Sequence, residues 1–218
     1  MQDLSRWLGV QKVVPIIRAD TVDQGQRLLE MLYEGGIRLI ELTTTVPDVF
    51  ALVGRMRMVL PDLVIGVGTL HTAEMAQQAV DVGADFLVTY KASQEVARVG
   101  QLSKTPYVLG AATPTEVDTC MRLGSEVVKL FPANVLGPDF IHEIQGPIPG
   151  VKCFPTGGIG PQTAKDWLAK GALAVGIGSA LTSGDQTVSL VVRTRRLLED
   201  LSVDVAVLQN LRQGRYTS

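Results

Sequence analysis

Gly124-Ser125-Glu126-Val127-Val128-Lys129-Leu130-Phe131-Pro132 holds the repeating unit of this chain in one line: a glycine, a short apolar run and a proline. Glycine just past a helix end supplies the left-handed turn that redirects the backbone. The run behind it is apolar without alternation, as strands buried on both faces are. The punctuation recurs. Gly36, Gly83, Gly124 and Gly171 stand 47, 41 and 47 residues apart, each just ahead of an apolar run, and that spacing suits two strand–helix units. Eight runs follow from this reading: Val13–Ile17, Leu39–Leu42, Leu63–Val67, Phe86–Thr89, Tyr107–Leu109, Val127–Phe131, Lys152–Phe154 and Ala174–Ile177. Pro61, Pro106 and Pro149 precede the third, fifth and seventh.

Amphipathic stretches lie between the runs, among them Asp23–Glu34, Thr72–Val82, Pro114–Leu123 and Pro161–Lys170. Thr72-x-Glu74, Thr113-Pro114 and Gly160-Pro161 mark helix starts. Eight parallel strands in so short a span predict a single-domain (β/α)8 TIM barrel over residues 13–181 rather than an open sheet. Residues 1–12 are expected as a helix capping the barrel floor, and 182–218 as a C-terminal helix packed outside with a tail.

Composition narrows the function classes. The chain has 218 residues, 46% of them hydrophobic, a mean hydropathy of +0.22 and a formal charge of −2, with no basic stripe that would suit nucleic acid. No apolar run is long enough for a membrane span, and the N-terminus lacks a signal-peptide layout, so a cytoplasmic protein is expected. Cys120, Cys153, His71 and His142 form no metal-binding spacing, so neither a metal nor another cofactor is expected.

In such barrels, chemistry collects at the C-terminal ends of the strands. The residues at those positions are Arg18, Glu41, Thr43 to Thr45, Gly68-Thr69, Thr89 to Lys91, Thr113, Lys129, Thr156 to Gly158, and Gly178-Ser179. Lys129, enclosed by Val127, Val128, Leu130 and Phe131, loses hydration, which disfavours an ammonium. A neutral amine attacks ketones to form a Schiff base. The plain alternative is a strand-end lysine that snorkels to solvent or pairs with a carboxylate. Glu41, behind Leu39-Ile40, is placed either to move protons or to form a buried ion pair with Arg18 or Lys129. Thr156-Gly157-Gly158 after the seventh run and Gly178-Ser179 after the eighth fit a barrel phosphate site, with Arg18 as a further anion candidate.

Leu39-Ile40-Glu41-Leu42-Thr43, Gly66-Val67-Gly68-Thr69, Val128-Lys129-Leu130-Phe131-Pro132-Ala133 and Pro155-Thr156-Gly157-Gly158-Ile159 together resemble the family of 2-keto-3-deoxy-6-phosphogluconate and 2-keto-3-deoxy-6-phosphogalactonate aldolases. The likeness runs from Val13 to Leu181, and Gly137-Pro138-Asp139-Phe140-Ile141 is similar to the galactonate branch. The resemblance implies a class I, usually homotrimeric enzyme that splits a phosphorylated keto-deoxy sugar acid into pyruvate and glyceraldehyde 3-phosphate. It also implies Lys129 as Schiff-base lysine, Glu41 as general acid/base, Thr69 on the pyruvate carboxylate, Phe131 as a wall, and Gly157, Gly158 and Ser179 on phosphate.

The chain departs from the family in two places. Thr45 stands where gluconate-type members carry an arginine, leaving Arg18 as the candidate substitute. Thr89-Tyr90-Lys91 replaces a motif with proline after Ser or Thr, so Tyr90 and Lys91 are expected to narrow the pocket or add charge, and Lys91 is a rival nucleophile in a polar context. Two other hypotheses keep the barrel: a sugar-phosphate isomerase or epimerase, which needs no imine, and a non-catalytic trimeric paralogue.

Overall fold

The computed structural model describes residues 3–183 and 188–212. Helix α1 (Leu4–Gln11) leads into β1 (Val13–Ile17), then α2 (Val22–Glu34), β2 (Leu39–Thr43), α3 (Val49–Val59), β3 (Val64–Gly68), α4 (Ala73–Asp81) and β4 (Phe86–Val88). The chain continues through α5 (Gln94–Ser103), β5 (Tyr107–Ala111), α6 (Pro114–Arg122), β6 (Val127–Leu130), α7 (Ala133–Leu136), α8 (Asp139–Gln145) and β7 (Lys152–Pro155). It ends with α9 (Ala164–Ala169), β8 (Val175–Ile177), α10 (Ser179–Thr182), α11 (Leu190–Asp200) and α12 (Val205–Arg212).

Local sequence explains the alternation. Thr21, Thr72, Ser93 and Thr113 each accept a hydrogen bond from a first-turn N–H of the helix that follows. At the other ends, Gly36, Gly83, Gly124 and Gly171 all take positive φ. Each glycine N–H bonds the carbonyl three residues back, and the next N–H bonds one five back, as in Gly124 to Met121 and Ser125 to Cys120. This double closure is the Schellman motif, and it satisfies carbonyls that the helix end would otherwise orphan.

All eight strands are parallel, in the order β7-β6-β5-β4-β3-β2-β1-β8. Isolated bridges Cys153–Ala172 and Thr156–Gly176 join β7 to β8 and close the barrel. Two apolar layers result. One lies between strands and outer helices and takes Ile40, Leu42, Val128 and Leu130. The other fills the lumen with Leu39, Val64, Phe86, Val127 and Phe154, stoppered by Leu4, Trp7 and Leu8 of α1. Gln11 seals this floor. Its amide donates to the Val13 and Leu39 carbonyls while its oxygen accepts from the Arg38 and Leu39 N–H groups, so a fully buried side chain leaves no bond unmade.

The C-terminal region differs from the single outer helix expected. α10 and α11 pack outside the barrel, but α12 returns to the floor, where it contacts α1 and buries Leu208. Boundary 181 falls inside α10. Segments 1–2, 184–187 and 213–218 of the two expected ends lie outside the described residues.

Candidate active site

Strand alternation decides which groups meet. On β6, Val127 and Lys129 face the lumen while Val128 and Leu130 face the helices. On β2, Leu39 and Glu41 do likewise. Register sets Lys129 level with Gly110 and Phe154, and Glu41 level with Ile16 and Gly66. Across the lumen the Lys129 ammonium donates to both Glu41 oxygens, at 3.0 and 3.1 Å. Lys129 is 5% exposed and Glu41 not at all. The catalytic candidate and the plain ion-pair alternative therefore coincide in one contact.

Missing side chains make room for it. A Cβ on Gly68 would lie 2.0 Å from Glu41 Oε1, so any larger residue would push the carboxylate aside. A Cβ on Gly110 would lie 2.2 Å from the Tyr90 carbonyl carbon, because the chain after β4 folds back against β5. Thr89 fastens that bend, donating to the Lys91 carbonyl and accepting from the Gly110 N–H. Tyr90 and Lys91 have exposed side chains, and it is their main chain that the bend brings against Gly110. Lys91 has the hydration that Lys129 lacks.

Arg18, Phe131, Thr156, Gly157, Gly158, Gly178 and Ser179, all singled out from sequence, line one cavity of about 180 Å³ with Ile16, Ile159 and Ala180. Gly157 and Gly158 hold φ of +102° and +74°, and Gly158 has Asn134 packed where a Cβ would stand. Ser179 and Ala180 open α10, so their N–H groups lack intrahelical acceptors. Arg18 is exposed and has no ion-pair partner among the described residues. The buried Thr156 Oγ1 likewise has no hydrogen-bond partner among them. A guanidinium, spare N–H groups and a spare hydroxyl around one cavity suit an anion.

Thr69 follows β3 in the left-handed region, with φ of +63°. For a β-branched residue this is an outlier costing about 1–3 kcal/mol, tolerated where surroundings over-determine it. Thr113, at the helix start its sequence marks, caps α6, bonding Glu116 in both directions. Hydrogen bonds from the Ala112 N–H and then the Thr113 hydroxyl hold the Glu116 carboxyl below the usual range. Thr45 lies at the β2 end, its hydroxyl 2.6 Å from that of Thr43. Sequence reasoning placed Gly68 beside Thr69 at a strand end without a role, and did not single out Gly110. Glycines inside strands are the signal that would have found them, since they mark close approach. The two cysteines are no rivals: burial pushes the thiols of Cys120 and Cys153 up to about 12 and about 11.

Residues 5–190 match the aldolase family model described as KDPG and KHG aldolase. A 2-dehydro-3-deoxy-phosphogluconate aldolase of Haemophilus influenzae is 31% identical over 169 residues, covering 77% of this chain and 80% of that one. A probable 2-dehydro-3-deoxy-6-phosphogalactonate aldolase of Rhizobium meliloti is 29% identical over 171 residues, covering 78% and 81%. The crystal structure of KDPG aldolase from Legionella pneumophila, with pyruvate captured at low pH as a covalent carbinolamine, superposes with a TM-score of 0.77 at 25% identity, covering 98% of both chains. With its parallel barrel and a model match spanning most of its length, the chain belongs to the KDPG and KHG aldolase family.

Proposed function

We propose that this protein is a class I aldolase that cleaves a phosphorylated 2-keto-3-deoxy sugar acid, of the 6-phosphogluconate or 6-phosphogalactonate type, to pyruvate and glyceraldehyde 3-phosphate. The observation that carries this reading is the enclosed Lys129–Glu41 pair, whose register partner Ile16 and chain neighbour Phe131 line an anion-suited pocket. A proton passing from Lys129 Nζ to Glu41 along the existing hydrogen bond leaves a free amine and a carboxylic acid. The amine attacks the C2 ketone of the substrate. Glu41 returns its proton as the carbinolamine loses water, giving an iminium and a carboxylate. That carboxylate then takes the C4 hydroxyl proton while the C3–C4 bond breaks, its electron pair moving onto the iminium. The aldehyde departs, the enamine is protonated at C3, and water releases pyruvate and the lysine.

Thr69 holds the keto-acid carboxylate and Phe131 walls the site. The phosphate sits against Gly157, Gly158 and Ser179 with Arg18 nearby, in the 180 Å³ cavity they share. The enzyme is read as a cytoplasmic homotrimer. No described helix is long and apolar enough to cross a membrane, and the homotrimer is what the family resemblance implies.

Incubation with pyruvate and sodium borohydride, followed by peptide mass spectrometry, tests the mechanism. A reduced pyruvyl adduct on Lys129 is expected. An unmodified Lys129 at saturating pyruvate would overturn the imine mechanism, and turnover surviving Lys129→Ala would favour an isomerase.

A further inference from the structure

Thr43, Thr44 and Thr45 form a hydroxyl seam across three strand ends. The Thr43 hydroxyl donates to the Ile17 carbonyl at 2.9 Å, which leaves Thr45 to donate to Thr43 at 2.6 Å. These two tie β2 to β1 at the residue before Arg18. Thr44 turns the other way: its hydroxyl donates to the Thr69 carbonyl at 3.2 Å and its N–H to the Gly68 carbonyl at 3.0 Å. Thr69 is the strained residue, and a strained backbone persists only while neighbours hold it. Its carbonyl has two holders, Thr44 and the ring of exposed His71, whose Nδ1 lies 3.2 Å away. Leu70, next along, is buried and bonded to the Val88 carbonyl, so the peptide is pinned on its far side as well. Gly68, on the near side, abuts the Glu41 carboxylate.

We infer that Thr44 is a positioning residue that fixes Thr69 for the carboxylate of the keto acid. It acts through the Thr69 peptide and does not itself touch substrate, and its role rests on the assignment of Thr69 proposed above. Valine has threonine's shape without its hydroxyl, so Thr44→Val removes the bond and spares the packing. The pyruvate concentration giving half-maximal borohydride trapping on Lys129 is expected to rise about tenfold, with the trapping rate at saturation within twofold of the parent. Thr44→Ser, which keeps a hydroxyl, is expected to restore the parent value. If Thr44→Val fails to fold, Thr44→Ala carries the same readout. A parent chain trapped on Lys129 beside a Thr44→Val chain with unchanged half-saturation would sink the positioning role alone. A parent chain that is never trapped would sink both the role and the aldolase assignment on which it stands.

Discussion

Two lysine–glutamate pairs stand at opposite ends of the barrel, one beside neighbouring strands β6 and β7 and one across the lumen from β6 to β2, and their distances rank them the wrong way round. At the floor, Lys152 meets Glu126 at 2.7 Å, with side chains 42% and 57% exposed. At the top, Lys129 meets Glu41 at 3.0 Å, with side chains 6% and 0% exposed. The floor pair is closer, shares Ser5 as a third partner, and ties α1 to the start of β7. Water screens it, so its two charges could part at little cost. The upper pair has no such freedom, because each charge is compensated mainly by the other. Enclosure, rather than contact distance, is what turns a common surface pair into a place where a proton has to go somewhere useful.

The largest effect expected from breaking this contrast is at Lys129. Lys129→Met should lower kcat by about 10⁴-fold or more, the scale seen when a covalent nucleophile is lost. The same change should cost roughly 3–5 kcal/mol of stability, because Glu41 is left buried without its partner. Adding Glu41→Leu should recover much of that stability without any activity, which a urea melt and a cleavage assay read separately. Equal stability in the single and double variants would mean that water reaches Glu41 after all. Glu41→Gln alone should lower kcat about 10²- to 10⁴-fold, the range for a lost general acid/base.

Gly68→Ala probes the enclosure without removing either charge. The new methyl cannot share space with Glu41 Oε1, so the carboxylate must move. A displacement of about 1 Å at reacting groups costs on the order of 10²-fold. Cleavage should fall by that factor in kcat/KM while both titratable groups remain. Unchanged turnover would show that Glu41 has more freedom than the packing around it allows.

Much of this architecture was legible, and particular residues show why. Gly36, Gly83, Gly124 and Gly171 announced helix ends because only a few backbone solutions follow a left-handed glycine, and all four adopt the same one. Lys129 announced itself because a charge among Val127, Val128 and Leu130 needs a reason. Its partner was harder, since Glu41 had two plausible cations. The in–out alternation that selects Lys129 is invisible in strands apolar on both faces, and register across the barrel has no sequence signature. Thr113 was easier. Thr113-Pro114 marked the start of α6, and Glu116, three residues on, completes its capping box. The return of α12 to the floor depends on the partly buried Leu211 and buried Leu208 meeting α1, a contact that helix periodicity cannot assign to a partner.

The smallest expected effect belongs to the floor pair, and its pH dependence separates it most cleanly from the upper one. Hydrogen bonds from Lys152 and then Ser5 hold the Glu126 carboxyl below the ordinary glutamate range. A carboxyl with a lowered folded value binds its proton more weakly when folded than when unfolded. Its contribution is therefore present above the unfolded glutamate value of about 4.3, and is lost as pH falls through that value and then through the lower folded one. Because both side chains are substantially exposed, screening limits the contribution to about 0.5 kcal/mol. Glu126→Gln should thus lower stability by about that much at pH 7 and by nothing measurable once the parent carboxyl is protonated. Denaturant melts across that acid range would show the two curves converging. Cleavage activity at pH 7 should stay at the parent level throughout, since the floor lies at the opposite end of the lumen from Lys129. A Glu126→Gln chain that lost activity while keeping its stability would mean that α1 and the floor communicate with the strand tops, and the division between the two pairs would fail.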